Sequence, residues 1–308
     1  MIEDRRLLEN YLKKCAICPR ECASDRIGRR GGFCKATDRL EVHAVRLHTG
    51  EEPPISGKNG SGTIFFNHCN LRCSYCQNYK FSQLQDGKEV TIERLSEMML
   101  SLEERGAHNI NFVTPTHYAV HVALAATLSK KKGLKIPVVY NTSGYEKIET
   151  LRLLSGLVDI YLTDMRYGSN ESAKRYSQCS DYVEVNRDAV REMYRQVGRL
   201  KVRHDHIAER GIIIRHLILP GGVCGTEEVF RFISEELDKD IHISLMSQYY
   251  PAYEARADKA ISRHITIKEY EDSLGLLRKY GLDEGWVQEY GKGKIDPGFA
   301  GTNIESGF

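Results

Sequence analysis

The chain has no excess charge of either sign. Lys and Arg number 44 against 42 Asp and Glu, a formal net charge of +2 over 308 residues. A protein whose main partner is DNA carries a basic footprint, and nothing in this balance calls for nucleic acid. No apolar run comes near the ~18 residues that a membrane helix needs. The opening residues, MIEDRRLLENYLKK, are charged throughout and lack the apolar stretch of a secretory signal. The expectation is a cytoplasmic protein with no membrane partner. Long disordered tracts are not expected either, because 41% hydrophobic and 28% charged residues are ordinary for a folded chain.

Cysteine, by contrast, is abundant. In a reducing compartment nine cysteines are not expected to pair as disulfides, and the odd number argues the same way. Seven of them fall in two groups before residue 77: Cys15, Cys18, Cys22 and Cys34, then Cys69, Cys73 and Cys76. Clustered thiols in an intracellular protein point first to metal.

The first ~35 residues are too few for an apolar core of their own, and a metal would have to organise them. Residues 40–47 alternate apolar and polar, as a half-buried strand does. A turn-rich loop, EEPPISGKNGSG, follows. From there a strand–loop–helix pattern repeats. Apolar runs at 62–66, 110–113, 136–140, 159–163, 211–219 and 242–246 read as strands. Helical stripes at 91–105, 118–131, 147–155, 185–198, 226–237 and 267–280 follow them. Six such units in succession imply parallel strands with right-handed crossovers. Six strands are too few to close an eight-fold barrel. The expected fold is therefore α/β, a partial (β/α)6 TIM-type barrel with a small N-terminal Cys-rich metal-binding segment. A doubly wound open sheet is the alternative that periodicity leaves open. Residues 1–50 form the Cys-rich segment and lead-in strand, and 51–308 the barrel with a C-terminal extension. In either architecture ligands belong at the C-terminal ends of the strands.

The second cysteine group sits at such an end. Its sequence, FFNHCNLRCSYCQN, has the spacing C-x3-C-x2-C, with Tyr75 just before the third cysteine. Three thiolates on one tight loop can face three irons of a cubane and leave the fourth iron without a protein ligand. A structural zinc site is the plainer reading, but it needs a fourth ligand, and His68 beside Cys69 is poorly placed to supply it.

This loop resembles the radical S-adenosylmethionine (SAM) signature, C-x3-C-x-aromatic-C. The longer stretch EEPPISGKNGSGTIFFNHCNLRCSYCQN is similar to a subgroup related to pyruvate formate-lyase activating enzymes, and the N-terminal four-cysteine segment resembles that subgroup too. The likeness runs from about residue 15 to about residue 250. It implies a [4Fe–4S] cluster whose open iron chelates SAM, and an electron donor such as a reduced ferredoxin or flavodoxin. Reductive cleavage of SAM then gives methionine and a 5′-deoxyadenosyl radical, which takes a hydrogen atom from the substrate.

The resemblance also implies SAM contacts at the strand ends. Thr114 and Thr116 follow the second strand, where many radical SAM enzymes carry Gly-Gly-Glu; a helix N-cap by Thr116 is compatible with either reading. Asn141 and Ser143 stand in Asn-Thr-Ser-Gly, similar to the Asp-Thr-Asn-Gly of activating enzymes, and suit an ordinary βα turn equally well. Asp164 and Arg166 match an Asp-Leu-Lys that resembles a ribose and carboxylate contact. Arg215 lies in an apolar strand, where a charge needs an anionic partner such as the SAM carboxylate or Asp164. Tyr75 completes the cofactor-binding set.

Cys15-x2-Cys18-x3-Cys22-x11-Cys34 has ligand-like spacing for a second metal, either structural zinc or an auxiliary iron–sulfur cluster. The basic stripe Arg187, Arg191, Arg195 and Arg199 reads as a solvated helix face, with docking of an acidic partner or nucleic acid as the alternative. Cys179 reads as inert, Cys224 as inert or else a hydrogen-atom donor to a substrate radical, His216 as structural, and Glu51 and Glu52 as residues of a solvated loop or else acid/base groups. Three functions follow: hydrogen abstraction from a glycine of a partner protein, radical SAM chemistry on a small molecule or peptide, or iron–sulfur electron transfer without SAM. A six-unit platform is more architecture than the last requires.

Overall fold

Runs of β-branched and aromatic residues form the strands, and the structure, a computed structural model, describes residues 2–84 and 86–291. Among these, ten strands form: β1 (Leu40–His48), β2 (Ser61–Phe66), β3 (Lys88–Val90), β4 (Ile110–Val113), β5 (Val138–Thr142), β6 (Ile160–Asp164), β7 (Lys201–Val202), β8 (Ala208–Leu217), β9 (His242–Met246) and β10 (Gly285–Val287). The main sheet runs β10-β9-β8-β6-β5-β4-β2-β1-β3. From β2 to β10 every neighbouring pair is parallel. β1 adds antiparallel to β2, and β3 antiparallel to β1. The sheet is open, with helices between successive parallel strands, as a partial barrel requires. All six expected parallel strands are present.

The boundaries differ for local reasons. β5 starts at Val138 rather than 136 because Pro137 has no N–H to donate; its carbonyl instead accepts from Ile110 N at 2.9 Å. β8 starts at Ala208 because it forms an antiparallel hairpin with β7. Helices at Ile2–Leu12 and Asn170–Ser177 were not expected. The second is marked by Ser169, whose side chain accepts from Ser172 N as an N-cap.

Alternation along the strands separates one large apolar cluster from two small ones. The large one lies between sheet and helices and includes Ile212, Ile214, Tyr161, Phe112 and Phe66. One small cluster comprises Ile55, Val139, Ile160, Leu162, Ala208 and Ile213 on the concave face, and the other Ala44, Phe65, Phe81 and Val113. Ile55 belongs to the short helix Pro53–Ser56, is fully buried, and accepts a hydrogen bond from Asn109 Nδ2 at 2.8 Å. The turn-rich connection thus plugs the bottom of the barrel. The N-terminal segment adds Leu12, Cys15, Ile17, Cys18 and Cys34 to the larger cluster, so it packs directly on the barrel.

Candidate cluster and cofactor site

Cys69, Cys73 and Cys76 lie on the loop that leaves β2, with Cys69 and Cys73 buried and Cys76 half-buried. Each sulfur has a polar neighbour. Leu71 N donates to Cys69 Sγ at 3.3 Å, Ser177 Oγ donates to Cys73 Sγ at 3.0 Å, and Cys76 Sγ lies 3.3 Å from Ser82 Oγ. Burial pushes the Cys69 thiol up and the Cys76 thiol up to about 12; Cys73 raises both further, and Arg166 pulls both down. The loop winds through left-handed backbone at His68 (φ 71°) and Arg72 (φ 52°), conformations that side chains seldom adopt without support. His68 Nε2 lies 3.2 Å from Glu41 Oε2.

Tyr75 is buried and meets Tyr167, Tyr176 and Tyr249 edge-on, at centroid distances of 6.1–6.3 Å. Such a cage fixes the third cysteine's position by packing.

Beside the loop, polar residues converge at the C-terminal ends of the strands. Arg215 Nε donates to Asp164 Oδ1 at 2.9 Å, and Arg215 Nη2 to Asn141 Oδ1 at 2.6 Å. Arg166 pairs with the other oxygen of Asp164. Both guanidinium groups are held above their ordinary value by Asp164, against the effect of burial. Arg166 also feels Cys73, so a cation stands ready beside the thiolates. Tyr182 Oη donates to Ser143 O at 2.8 Å and accepts from Arg166 N at 3.0 Å. Asn186 Nδ2 reaches both Gly144 O and Asp164 O, at 3.1 and 3.0 Å. The turns after β5 and β6 are therefore locked to each other.

The structure brings together Asn141, Asp164, Arg166 and Arg215, and places Tyr75 and the Ser143 backbone beside them. Thr114, after β4, holds φ at 58° and donates its N–H to Asn141 O at 2.9 Å. A left-handed β-branched residue is rare, and here it stands where the resemblance implies glycine. Thr116 departs from expectation: it faces the helix layer and donates its hydroxyl to Glu146. Burial raises that carboxyl to about 7, so the Thr116 side chain serves a buried outer network rather than the strand-end site.

Glu51 and Glu52 overturn the expectation of a solvated loop. Glu51 Oε1 accepts from Asn111 Nδ2 at 3.1 Å and from Asn141 Nδ2 at 3.4 Å, while Oε2 lies 3.4 Å from Arg215 Nη1. Burial raises both carboxyls, and Arg215 opposes it. The turn-forming PPISG that follows hides this from sequence. Only the seating of Ile55 as a plug carries the two glutamates into the lumen.

Cys15 and Cys34 adjoin Arg26: Cys34 feels the charges of Arg26, Cys15 and Cys22, and Cys18 those of Cys34 and Cys15. Arg26 Nη1 lies 3.8 Å from Cys15 Sγ. Among the described residues no group of three or more His, Cys, Asp or Glu side chains is arranged to hold a metal ion. Cys224 is buried near His216 and 3.3 Å from Thr226 Oγ1, and His216 is bonded to Met165 O and Thr226 Oγ1. Cys179 Sγ contacts Asp181 Oδ1 at 3.4 Å. In the basic stripe, Arg191, Arg195 and Arg199 are paired with acids, and Arg187 lies over the Phe232 ring. No helix among the described residues is long and apolar enough to cross a membrane.

Comparison with known proteins agrees with this geometry. The pattern of the Radical SAM superfamily matches residues 63–199, from β2 through the fourth crossover. An uncharacterized protein of Methanocaldococcus jannaschii is 33% identical over 286 residues, covering 90% of this chain and 78% of its own. The FeFe-hydrogenase maturase HydG from Carboxydothermus hydrogenoformans superposes with a TM-score of 0.50 at 12% identity, over 71% of this chain and 50% of that one. The crystal structure of methylornithine synthase gives a TM-score of 0.47 at 13% identity, over 73% of this chain and 63% of that one. The chain thus spans less than two thirds of either solved structure, and the likeness to HydG concerns the fold alone. With a three-cysteine loop at the end of the first parallel strand, and this superfamily match across it, residues 63–199 belong to the Radical SAM superfamily.

Proposed function

We propose that Cys69, Cys73 and Cys76 ligate a [4Fe–4S] cluster, and that Asn141, Asp164, Arg166 and Arg215 with the turns at Thr114 and Ser143 seat SAM beside it. The observation that carries this is the environment of the three sulfurs. Each has a hydrogen-bonding neighbour, and Arg166 lies beside them as a counter-charge. Burial by itself raises the Cys69 and Cys76 thiols, so the deprotonated sulfurs that metal binding requires would be held by these neighbours together with the metal's own charge. When bound, the cluster supplies the electron, delivered by a reduced ferredoxin or flavodoxin, that splits SAM so that its 5′-deoxyadenosyl part takes a hydrogen atom from the substrate. The chain's own residues bind and orient. Asp164 holds two guanidinium groups at the rim, one of them suited to a carboxylate, and the tyrosine cage around Tyr75 keeps water from the loop.

The substrate reading that the lumen favours is a small molecule or peptide side chain, because the polar groups continue below the rim to Asn111 and Glu51. Hydrogen abstraction from a glycine of a partner protein is the second reading, favoured by the similarity of 51–78 to activating enzymes. Cys15, Cys18, Cys22 and Cys34 are proposed to hold a second metal, iron–sulfur or zinc; mutual charge contacts and left-handed backbone at Glu21, Ala23, Arg29 and Lys35 support a chain wound around the thiols.

Anaerobically reconstituted, reduced protein should release 5′-deoxyadenosine from SAM, and Cys73→Ala should abolish this with loss of cluster iron. A fully loaded cluster with no release would refute the assignment. A glycyl radical signal on added candidate partner chains would move the substrate to a protein glycine. Iron and zinc analysis of Cys15→Ala and Cys18→Ala decides the second metal.

A further inference from the structure

The lumen beneath the rim holds more acceptors than the residues around it can satisfy. Glu52 is 8% exposed, and one of its oxygens, Oε2, has no hydrogen-bond partner. Its carboxylate otherwise faces Ser244 and Arg215. These two residues stand side by side on β9 and β8. Independently, on β4 across the lumen, Asn111 is fully buried with Oδ1 unpartnered. Its orientation follows from its neighbour, since Nδ2 donates to Glu51 Oε1 and the amide cannot be turned without setting oxygen against carboxylate. Glu51 lies between the two and is tied to both sides, to Asn111 and Asn141 on one and to Arg215 on the other.

Charge points the same way. Three carboxylates, Glu51, Glu52 and Asp164, share this lumen with two guanidinium groups, and Arg166 pairs with Asp164 while also feeling Cys73 and Tyr75. Arg215, itself bonded to Asp164, is the cation that faces Glu51 and Glu52. Buried acceptors without donors are costly, and a buried carboxylate without its own cation more so. Glu51, Arg215 and Asp164 above them keep slight exposure, 10%, 16% and 7%, while Glu52 Oε2 and Asn111 Oδ1 are closed to solvent.

We infer that Glu51, Glu52 and Asn111 form a subsite for a protonated amine of the substrate. A primary ammonium brings three donors and one positive charge; Glu52 Oε2 and Asn111 Oδ1 are free acceptors, and Glu51 supplies the second carboxylate. This deepens the proposed function by naming the substrate class: a small molecule or peptide side chain bearing an amine, inserted amine first below the SAM site.

The test uses the full-length protein and n-butylammonium chloride as probe, with 1-butanol as its neutral counterpart, read by saturation-transfer NMR. Wild type should bind the ammonium and not the alcohol. Glu52→Gln should weaken ammonium binding by about tenfold, the order expected for one charge-assisted hydrogen bond. Equal binding of amine and alcohol, binding of neither, or unchanged affinity in a folded Glu52→Gln variant would each overturn the subsite. If the variant does not fold, the wild-type comparison of the two probes decides alone. Release of 5′-deoxyadenosine is scored separately on reconstituted protein. Selective amine binding without release removes the radical reading and leaves the subsite. Release without selective binding removes only the subsite.

Discussion

The Arg26 guanidinium, closed to solvent, donates to the backbone carbonyl of His117 at 2.7 Å and so fastens the four-cysteine segment to the turn behind β4. Its other nitrogens reach Thr37 O at 2.6 and 3.1 Å, and it stands 5.7 Å over the Tyr118 ring. His117 in turn donates from Nε2 to Asn67 O at 2.6 Å, two residues before Cys69. One buried cation therefore links both cysteine groups. Arg20 makes a second link, donating to Asn70 O at 3.0 Å and Ser177 O at 2.8 Å.

Replacing Arg26 with Met keeps volume but leaves the His117 and Thr37 carbonyls without donors. Each buried orphan costs about 1–3 kcal/mol, so a loss near 3 kcal/mol is expected. For a chain of this size that lowers Tm by roughly 6–12 °C. Calorimetry measures it; a variant melting within 2 °C of wild type would show that Arg26 does not tie the segment down.

Gly144→Ala should damage the rim proposed to seat SAM. Gly144 has φ of 73°, and a Cβ there would stand 2.1 Å from Asn186 Nδ2 and 2.5 Å from Asp164 O. The left-handed backbone alone costs ~1–2 kcal/mol for a residue with Cβ, and displacing Asn186 unlocks the β5 and β6 turns. The expected outcome is destabilisation of about 2–3 kcal/mol with weakened SAM binding by equilibrium dialysis. Retained affinity would separate the turn from the cofactor.

Asp164→Ala removes the shared partner of Arg166 and Arg215. Breaking a buried pair from one side typically costs about 3–5 kcal/mol. Chemical denaturation should show a loss of that order, and SAM affinity should fall with it. Lys cannot replace Arg215 fully, because the two-pronged contact to Asp164 and Asn141 needs the guanidinium fork.

Glu269 sets an acid limb of stability. It closes the capping box of the helix Ile267–Lys279 and accepts from Gly221 N at 2.6 Å, so it also anchors the turn after β8. Its hydrogen bonds to Arg263, opposed by partial burial, pull its carboxyl down to about 2. A carboxyl lowered on folding contributes stability that is complete above its ordinary value near 4.3 and is lost as pH falls toward 2. With its side chain partly in solvent the contribution is about 1–2 kcal/mol. Glu269→Gln should be less stable than wild type at pH 6 and equal to it near pH 2. A constant difference across that range would reject the linkage.

Much was legible in the sequence because local chemistry decides it. Runs such as Ile212–Ile214 favour strands through their β-branched side chains, and Cys69, Cys73 and Cys76 share a loop by spacing alone. The pair Asp164 and Arg166 was also readable, since residues two apart on an extended chain face one side. Other features depended on partners remote in sequence. Thr116 could be read toward the rim or toward a helix cap, and Glu146, thirty residues on, turned it into the outer layer. Glu51 and Glu52 looked like solvated loop residues until the plug at Ile55 drew them inward. The sequence by itself determined the strand–helix repeat, the cysteine loop and the superfamily, because backbone propensity and ligand spacing act over a few residues. Which polar side chains meet in the lumen was decided only by tertiary structure, because burial makes each charge seek a partner that the fold alone brings near.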